Sequence, residues 1–163
     1  MAVELAIVMG ASVVYAVDPV KDRRTRAASL GAIPVPPEEL VETVREATNG
    51  LMVDCVLEAV GKTGTVDLAM ATVGVGRNVS ILGAGMDLEV KVPFEAILNG
   101  VTVRANMLTE ISRFWPELVP LLQSGRIHPE KVITDRVTLE QGPEAYRRVA
   151  AREDGVSKVV LTA

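Results

Sequence analysis

The chain has 163 residues, enough for one domain with a sizeable core, and 48% of them are hydrophobic although only 3% are aromatic. Its formal net charge of −4 gives no electrostatic reason to expect nucleic acid or an anionic membrane as a partner. The single cysteine, Cys55, excludes an internal disulfide. Together with the single histidine, His128, it also excludes an ordinary Cys/His zinc site built from this chain alone.

The apolar N-terminal stretch predicts neither a secretory signal nor a membrane span. No basic region precedes it, Glu4 interrupts it, and Gly10 splits it below the length that a bilayer requires. We therefore expect a soluble protein of the cytoplasm.

The predicted elements begin with a mostly buried helix over residues 3–9, which Gly10 ends. The β-branched run 12–17 predicts a strand, and Asp18 is expected to cap a helix that starts at Pro19 and ends before Gly31. The elements after it are, in chain order, a strand over 32–35, a helix over 38–48, a strand over 52–59, a helix over 65–73, strands over 78–82 and 88–92, a helix over 93–98 and a strand over 101–105.

This alternation predicts an α/β fold, with a Rossmann-like doubly wound parallel sheet in a domain over residues 1–108. The run 52–59 is typical of a strand buried on both faces, so we expect Cys55 to be a buried, inert thiol and His128 to lie in a surface loop. Residues 109–163 predict a C-terminal α+β appendage, with a helix over 116–124, a strand over 132–139, a helix over 143–152 and a strand over 157–161.

Asp18 is the first residue that indicates a ligand. In a dinucleotide-binding fold, an acidic residue at the end of the second strand accepts hydrogen bonds from the adenosine ribose, roughly 20 positions after a G-x-G-x-x-G turn. Only 17 residues precede Asp18, and Gly10 is the sole glycine among them. We therefore expect the chain to lack the phosphate-binding loop and the strand before it.

Six short segments, read in order, resemble the C-terminal half of the zinc-containing medium-chain alcohol dehydrogenases. The resemblance covers essentially the whole chain and implies that the catalytic domain, its zinc ligands, the first sheet strand and the glycine-rich loop are missing. It also implies that the C-terminal tail packs on a catalytic domain in relatives. The segments are Ala16-Val17-Asp18, Leu30-Gly31-Ala32, Glu58-Ala59-Val60-Gly61, Leu82-Gly83, Ser124-Gly125-Arg126-Ile127 with Val132-Ile133-Thr134, and Glu144-Ala145-Tyr146 with Lys158-Val159-Val160-Leu161.

The resemblance implies an NAD site but no catalytic or metal-binding residue in this chain. It assigns the adenosine ribose to Asp18, with Arg23 nearby, although Asp18 can equally cap a helix and Arg23 can equally face solvent. It places Val60 and Gly61 on the adenine side and Leu82, Gly83 and Ala84 on the nicotinamide side, although these positions can equally be plain turns. It also implies that Asn106 and Leu108 lie near the nicotinamide end.

The chain is therefore expected to be a truncated, NAD-dependent, zinc-type alcohol dehydrogenase that is inactive alone. NAD binding should be weak or absent, and zinc is expected only in full-length relatives. The alternative is a non-catalytic scaffold that keeps the Rossmann fold for oligomerisation; a methyltransferase-like domain is disfavoured because the C-terminal half fits dehydrogenases.

The expected partners are a missing N-terminal half and a second copy of the chain, paired through the edge strand 101–105. The place of the missing central strand is expected to be closed in one of three ways: by pairing 13–17 with 53–57, by inserting 158–161, or by a strand from a partner.

Overall fold

The computed structural model describes residues 1–85, 89–105, 110–153 and 155–163. It confirms the predicted α/β class with parallel strand pairing. The chain divides into two compact units, one made of Met1–Pro34 with Ser112–Ala163 and the other of Val35–Ile111. The first unit thus joins the N-terminal residues to the C-terminal segment, and the predicted boundary between residues 108 and 109 stays a prediction.

The N-terminal part contains helix α1 (Ala2–Val8), strand β1 (Tyr15–Val17), helix α2 (Lys21–Ser29) and strand β2 (Ile33–Val35). Strands β1 and β2 form a two-stranded sheet, and the Ile33 N–H donates to the Val14 carbonyl oxygen at 2.8 Å. The prediction that the first helix is mostly buried is wrong, because no residue of α1 is buried.

Helix α2 begins two residues later than predicted. The Asp18 carboxylate accepts a hydrogen bond from the Val20 N–H at 2.8 Å, which closes a turn over Pro19. Val20 is extended and precedes the first helical residue, Lys21. Asp18 therefore stabilises the approach to the helix, and Pro19 is not the first residue of the helix as predicted.

The C-terminal part contains helix α6 (Ile111–Gln123), strand β6 (Ile133–Thr138), helix α7 (Gly142–Ala150) and strand β7 (Lys158–Thr162). Helix α6 starts at Ile111, before the predicted residue 116. Both Pro116 and Pro120 therefore lie inside the helix. Strands β6 and β7 pair in parallel in a sheet of their own. The predicted insertion of residues 158–161 into the place of the missing strand is therefore wrong.

The second unit is built on a three-stranded parallel sheet in the order β3-β4-β5. Its core is formed by one face of helix α4 against the sheet, with Val66, Met70, Val79 and Ile81 among the buried side chains. Its elements are a 3-10 turn (Pro37–Glu39), helix α3 (Leu40–Ala47), strand β3 (Val53–Glu58), helix α4 (Thr63–Thr72), strand β4 (Val73–Ile81), helix α5 (Phe94–Leu98) and strand β5 (Thr102–Ala105).

Three predictions about the strands of this unit fail. Residues 89–92, where an alternating pattern predicted a strand, form none. Strand β3 is not buried on both faces either: Cys55 and Leu57 are exposed, because helix α4 covers only the face that carries Val56. In the described part of the chain, β3 pairs with β4 and β1 with β2, so the predicted pairing of 13–17 with 53–57 is wrong as well.

None of the helices in the described ranges has both the length and the apolar character needed to cross a membrane.

Candidate functional site

The turn that follows β3 is organised by the buried carboxylate of Glu58, which is only 4% exposed. Its Oε1 accepts hydrogen bonds from the Val60 N–H at 2.8 Å, the Gly61 N–H at 3.0 Å and the Thr65 hydroxyl at 2.8 Å. Its Oε2 accepts a second branch from the Gly61 N–H at 3.1 Å. The carboxylate thus stabilises both the turn and the first residues of helix α4.

The turn that follows β4 lies directly against the first turn. The Leu82 and Gly83 N–H groups donate to the main-chain oxygen of Glu58 at 2.7 and 3.1 Å. A Cβ atom on Gly83 would lie 2.0 Å from the Gly61 nitrogen, and one on Gly61 would lie 2.4 Å from the Ala84 nitrogen. Glycine is required at both positions because the two backbones touch, and Gly61 also has a positive φ of 78°.

Two apolar side chains, Val60 and Leu82, stand exposed on these turns, and the exposed Lys62 lies next to them in the first turn. Val60 is 57% exposed and Leu82 is 48% exposed, whereas Gly61 and Gly83 are buried between them. Both turns stand at the carboxyl ends of neighbouring parallel strands, which is where open α/β sheets bind ligands. This end of the sheet presents apolar side chains on a backbone that is held in place by hydrogen bonds.

The other unit holds Asp18 just after strand β1. One carboxylate oxygen accepts from Val20, and the other lies 3.6 Å from a guanidinium nitrogen of Arg23. The Asp18 side chain is 28% exposed, so its carboxylate has room for a further donor. Arg24 donates to the Asp18 main-chain oxygen at 2.6 Å, which fixes the backbone beneath that carboxylate.

The predicted site residues therefore fall into two groups, each within one unit. Val60, Gly61, Gly83 and Ala84 are brought into contact, with Leu82 beside them, and Asp18 is brought to Arg23. The predicted positions Asn106 and Leu108 lie outside the described residues.

The carboxyl groups with lowered pKa values lie in the segment 130–144, apart from the predicted site residues in sequence. A backbone hydrogen bond, with help from His128, lowers the pKa of Glu130. The side chains of Thr134 and Arg148 lower the pKa of Asp135, and Arg147 lowers that of Glu144. These are surface pairs, and they indicate no acid–base chemistry.

The residues of this chain do not fit a zinc ion. Cys55 is exposed on strand β3, and His128 is engaged with Glu130, its Nδ1 lying 3.1 Å from the carboxylate. A zinc site needs three or four convergent ligands, and no three of the described His, Cys, Asp and Glu side chains form such a group.

Sequence reasoning missed Glu58 as a residue of the site. The signal was present, because Glu58 is an ionisable residue that ends an apolar strand and opens the segment Glu58-Ala59-Val60-Gly61. A carboxylate in that place is costly unless several donors surround it. Such a residue can be expected to accept the N–H groups of the turn that follows.

Comparison with known proteins gives one consistent result. The profile of the zinc-binding dehydrogenase family matches residues 1–124. The Mycobacterium tuberculosis protein named probable zinc-binding alcohol dehydrogenase is 38% identical over 152 residues, which are 93% of this chain and 39% of that protein.

Solved structures agree on the fold. The alcohol dehydrogenase TADH from Thermus sp. ATN1 superposes with a TM-score of 0.92 at 36% identity, over 99% of this chain and 46% of that one. A structure described as an NAD-dependent alcohol dehydrogenase superposes with a TM-score of 0.81 at 25% identity, over 99% of this chain and 47% of that one. These matches confirm the Rossmann-like fold and the resemblance to the C-terminal half of these enzymes.

The chain spans roughly two fifths to one half of the length of these relatives. Over that span, the solved structures superpose on nearly the whole chain. The chain belongs to the zinc-binding dehydrogenase family.

Proposed function

We propose that this chain forms part of the NAD site of an alcohol dehydrogenase-type oxidoreductase. The observation that carries the proposal is the meeting of the turns after β3 and β4 at the carboxyl ends of parallel strands. Their backbones touch at Gly61 and Gly83, and Val60 and Leu82 stand exposed beside them. Exposed apolar side chains on a backbone held in place by hydrogen bonds suit a planar, mostly apolar ligand group.

The donor and acceptor chemistry of Asp18 supports a ribose. A ribose diol donates two O–H groups, and a half-buried carboxylate with unused lone pairs accepts them. Arg23, 3.6 Å from the carboxylate, places a positive charge beside it. A 2′-phosphate in the same place would bring two anions together, so the proposed cofactor is NAD rather than NADP.

In this proposal the site residues of the chain bind the cofactor, and none of them acts as an acid or a base. Bound NAD supplies the nicotinamide that accepts or returns a hydride. Val60 and Gly61 border its adenine side, and Leu82, Gly83 and Ala84 border its carboxamide side. Because the chain's own side chains do not fit zinc, we propose that it does not oxidise an alcohol by itself. We also propose that the protein is located in the cytoplasm.

We propose a second copy of the chain as its partner. Such a dimer is expected both for the dehydrogenase proposal and for the alternative of a non-catalytic scaffold. Strand β5 is the outer strand of the β3-β4-β5 sheet, so one of its edges is unpaired within the described residues. Phe94, Ile97 and Leu98 of the preceding helix α5 are each more than half exposed. An open edge beside exposed apolar side chains favours pairing with another chain. A monomer of about 17 kDa at tens of micromolar in sedimentation would contradict this partner.

The test of the NAD proposal is a titration of isotope-labelled protein with NAD, followed by amide resonances up to about 10 mM, the range of a weak small-ligand complex. We expect concentration-dependent shifts at Asp18, Gly61 and Gly83, with smaller shifts for NADP at equal concentration. Resonances of Gly125 and Gly155, which the proposal leaves out, serve as the control. If NAD shifts none of the first three, the scaffold alternative is preferred.

A further inference from the structure

Glu58 engages both turns of the proposed site at once. Its side chain accepts the Val60 and Gly61 N–H groups of the first turn, and its main-chain oxygen accepts the Leu82 and Gly83 N–H groups of the second. One residue thus accepts hydrogen bonds from the backbones of two separate loops. Neither the resemblance nor the proposed function assigned it a role.

The side chain and the main chain of Glu58 are mechanically linked. The carboxylate is hydrogen-bonded to Val60, Gly61 and Thr65. These bonds restrain the torsion angles of the Glu58 side chain and of the main chain that carries it. Its main-chain oxygen lies at the end of the pairing between β3 and β4, where it accepts the Leu82 and Gly83 N–H groups, so a carboxylate that restrains Glu58 also restrains the second turn. The touching backbones of Gly61 and Gly83 leave the second turn no room to move toward the first.

We propose that Glu58 is a positioning residue that sets the spacing between the adenine-side turn and the nicotinamide-side turn. The inference rests on the proposed function, since it assigns a purpose to that spacing. NAD has to reach both turns with one molecule, so its affinity depends on their distance, whereas a fragment that reaches only one turn is indifferent to it. Glu58 contacts neither half of the cofactor in this account.

An acid is needed here because every neighbouring group donates. Two backbone N–H groups direct their hydrogens at the carboxylate, and the Thr65 hydroxyl lies 2.8 Å both from its Oε1 and from the Lys62 main-chain oxygen. Glutamine keeps the shape of the side chain but replaces one carboxylate oxygen with an NH₂ group, which is a donor. At the position of Oε2, that group would face the Gly61 N–H, so two donors would meet. Glu58→Gln therefore loosens the anchor while it leaves the volume unchanged.

The experiment uses amide hydrogen exchange of the whole chain with and without Glu58→Gln. We expect exchange to rise at Val60 and Gly61, and to rise about tenfold at Leu82 and Gly83 as well, although those two amides bond only the unaltered main-chain oxygen. Glu42→Gln, on the exposed face of helix α3, is the matched control and should change none of them. If exchange rises at Val60 and Gly61 alone, Glu58 is a local cap and the inference is wrong.

The second readout compares NAD with AMP, which carries only the adenosine half. In Glu58→Gln we expect NAD to bind about tenfold more weakly and AMP to change less than about twofold, because only the longer molecule needs both turns. A loss shared equally by NAD and AMP would show a merely structural role and overturn the inference. If NAD fails to bind the unaltered chain, the proposed function itself is wrong. If NAD binds but Glu58→Gln leaves the ratio of NAD affinity to AMP affinity unchanged, only the positioning role is wrong.

A milder pair of variants covers the case in which Glu58→Gln does not fold. Thr65→Val removes one of the donors to the carboxylate, and Thr65→Ser keeps its hydroxyl. We expect Thr65→Val to raise exchange at Leu82 and Gly83 by about threefold and Thr65→Ser to restore it. Equal exchange in the two variants would contradict the positioning role.

Discussion

Glu58 and Asp18 are both carboxylates that end a strand of a parallel α/β fold, yet they are used in opposite ways. Glu58 is buried, and its two oxygens accept four hydrogen-bond contacts from inside its own unit. Asp18 is partly exposed and accepts one backbone N–H, with Arg23 at 3.6 Å. The same signal in the sequence thus encodes an internal anchor in one unit and an unsaturated surface acceptor in the other.

The difference follows from how many acceptor positions remain. A carboxylate offers about four lone-pair directions. Three donor groups of its own unit surround the Glu58 carboxylate, which is buried. Asp18 keeps directions free on the side that solvent reaches. A buried carboxylate surrounded by donors rigidifies the turn beside it, whereas a partly exposed one keeps room for a donor from a ligand. The two should therefore respond differently to substitution.

The largest effect is expected from Gly83→Ala, which breaks the anchored region. The new Cβ would lie 2.0 Å from the Gly61 nitrogen and 2.4 Å from the Val60 carbonyl carbon, both backbone atoms. We expect the free energy of unfolding to fall by about 3 kcal/mol or more, the upper end of overpacking costs. Denaturant unfolding measures it.

Gly64→Ala is the matched control for that variant. Gly64 lies in helix α4, and a Cβ added there would meet no atom within 4 Å. Alanine there should stabilise the protein by about 0.5–1 kcal/mol through helix propensity. If both variants changed stability equally, the close approach of the two turns would be refuted.

Glu58→Ala should be the next largest change, because it leaves the Val60 and Gly61 N–H groups without their acceptor. Each unsatisfied buried donor costs about 1–3 kcal/mol. Glu42→Ala removes an exposed partner of Arg45 and should cost less than about 1 kcal/mol. Thermal unfolding of both variants, measured side by side, would contradict the account if the Glu42 variant were the less stable of the two.

Asp18→Ala should act mainly on cofactor choice. We expect a loss of stability of about 0.5–1.5 kcal/mol, for one exposed hydrogen bond to Val20, and a fall in the preference for NAD over NADP. Calorimetric titration with both cofactors measures the preference. Asp22→Ala, on the exposed side of helix α2, should leave it unchanged. An unchanged preference in the Asp18 variant would remove Asp18 from the site.

The smallest effect concerns Asp135, a surface carboxylate that is paired yet has no proposed ligand. The Thr134 side chain and Arg148, 3.1 Å away, lower its pKa in the folded state. Its contribution is therefore present above the unfolded pKa of about 3.9 and is lost as the pH falls through the lower folded value. The melting temperatures of the unaltered chain and of Asp135→Asn should differ slightly at pH 7 and converge in acid. If the difference between the two melting temperatures became larger in acid, the pKa of Asp135 would not be lowered in the folded state.

The order of elements could be predicted from the sequence because it depends on local signals. Gly31 and Gly50 end segments that the apolar pattern predicts as helices, and Pro93 correctly predicts the start of a short one. The pattern failed where a partner decides the outcome. The alternation at residues 89–92 forms no strand because nothing there pairs with it, and the apolar run of β3 is exposed wherever no helix covers it.

The candidate site was predictable residue by residue but not as an arrangement. Val60, Gly61, Leu82 and Gly83 could be nominated because the resemblance to the dehydrogenases implies a cofactor at those positions. Their contact depends on the register between β3 and β4, in which Glu58 pairs with Ile81, and no local pattern specifies that register. The role of Glu58 follows from the same register, because its main-chain oxygen meets the second turn only in that alignment.

The most direct test of the contrast between the two carboxylates is to observe their side-chain carboxyl carbons by NMR during an NAD titration. We expect the Asp18 carboxyl resonance to move as the ribose hydroxyls donate to it, and the Glu58 resonance to stay in place because that carboxylate is buried and hydrogen-bonded within its own unit. A Glu58 resonance that moves while that of Asp18 stays fixed would contradict it.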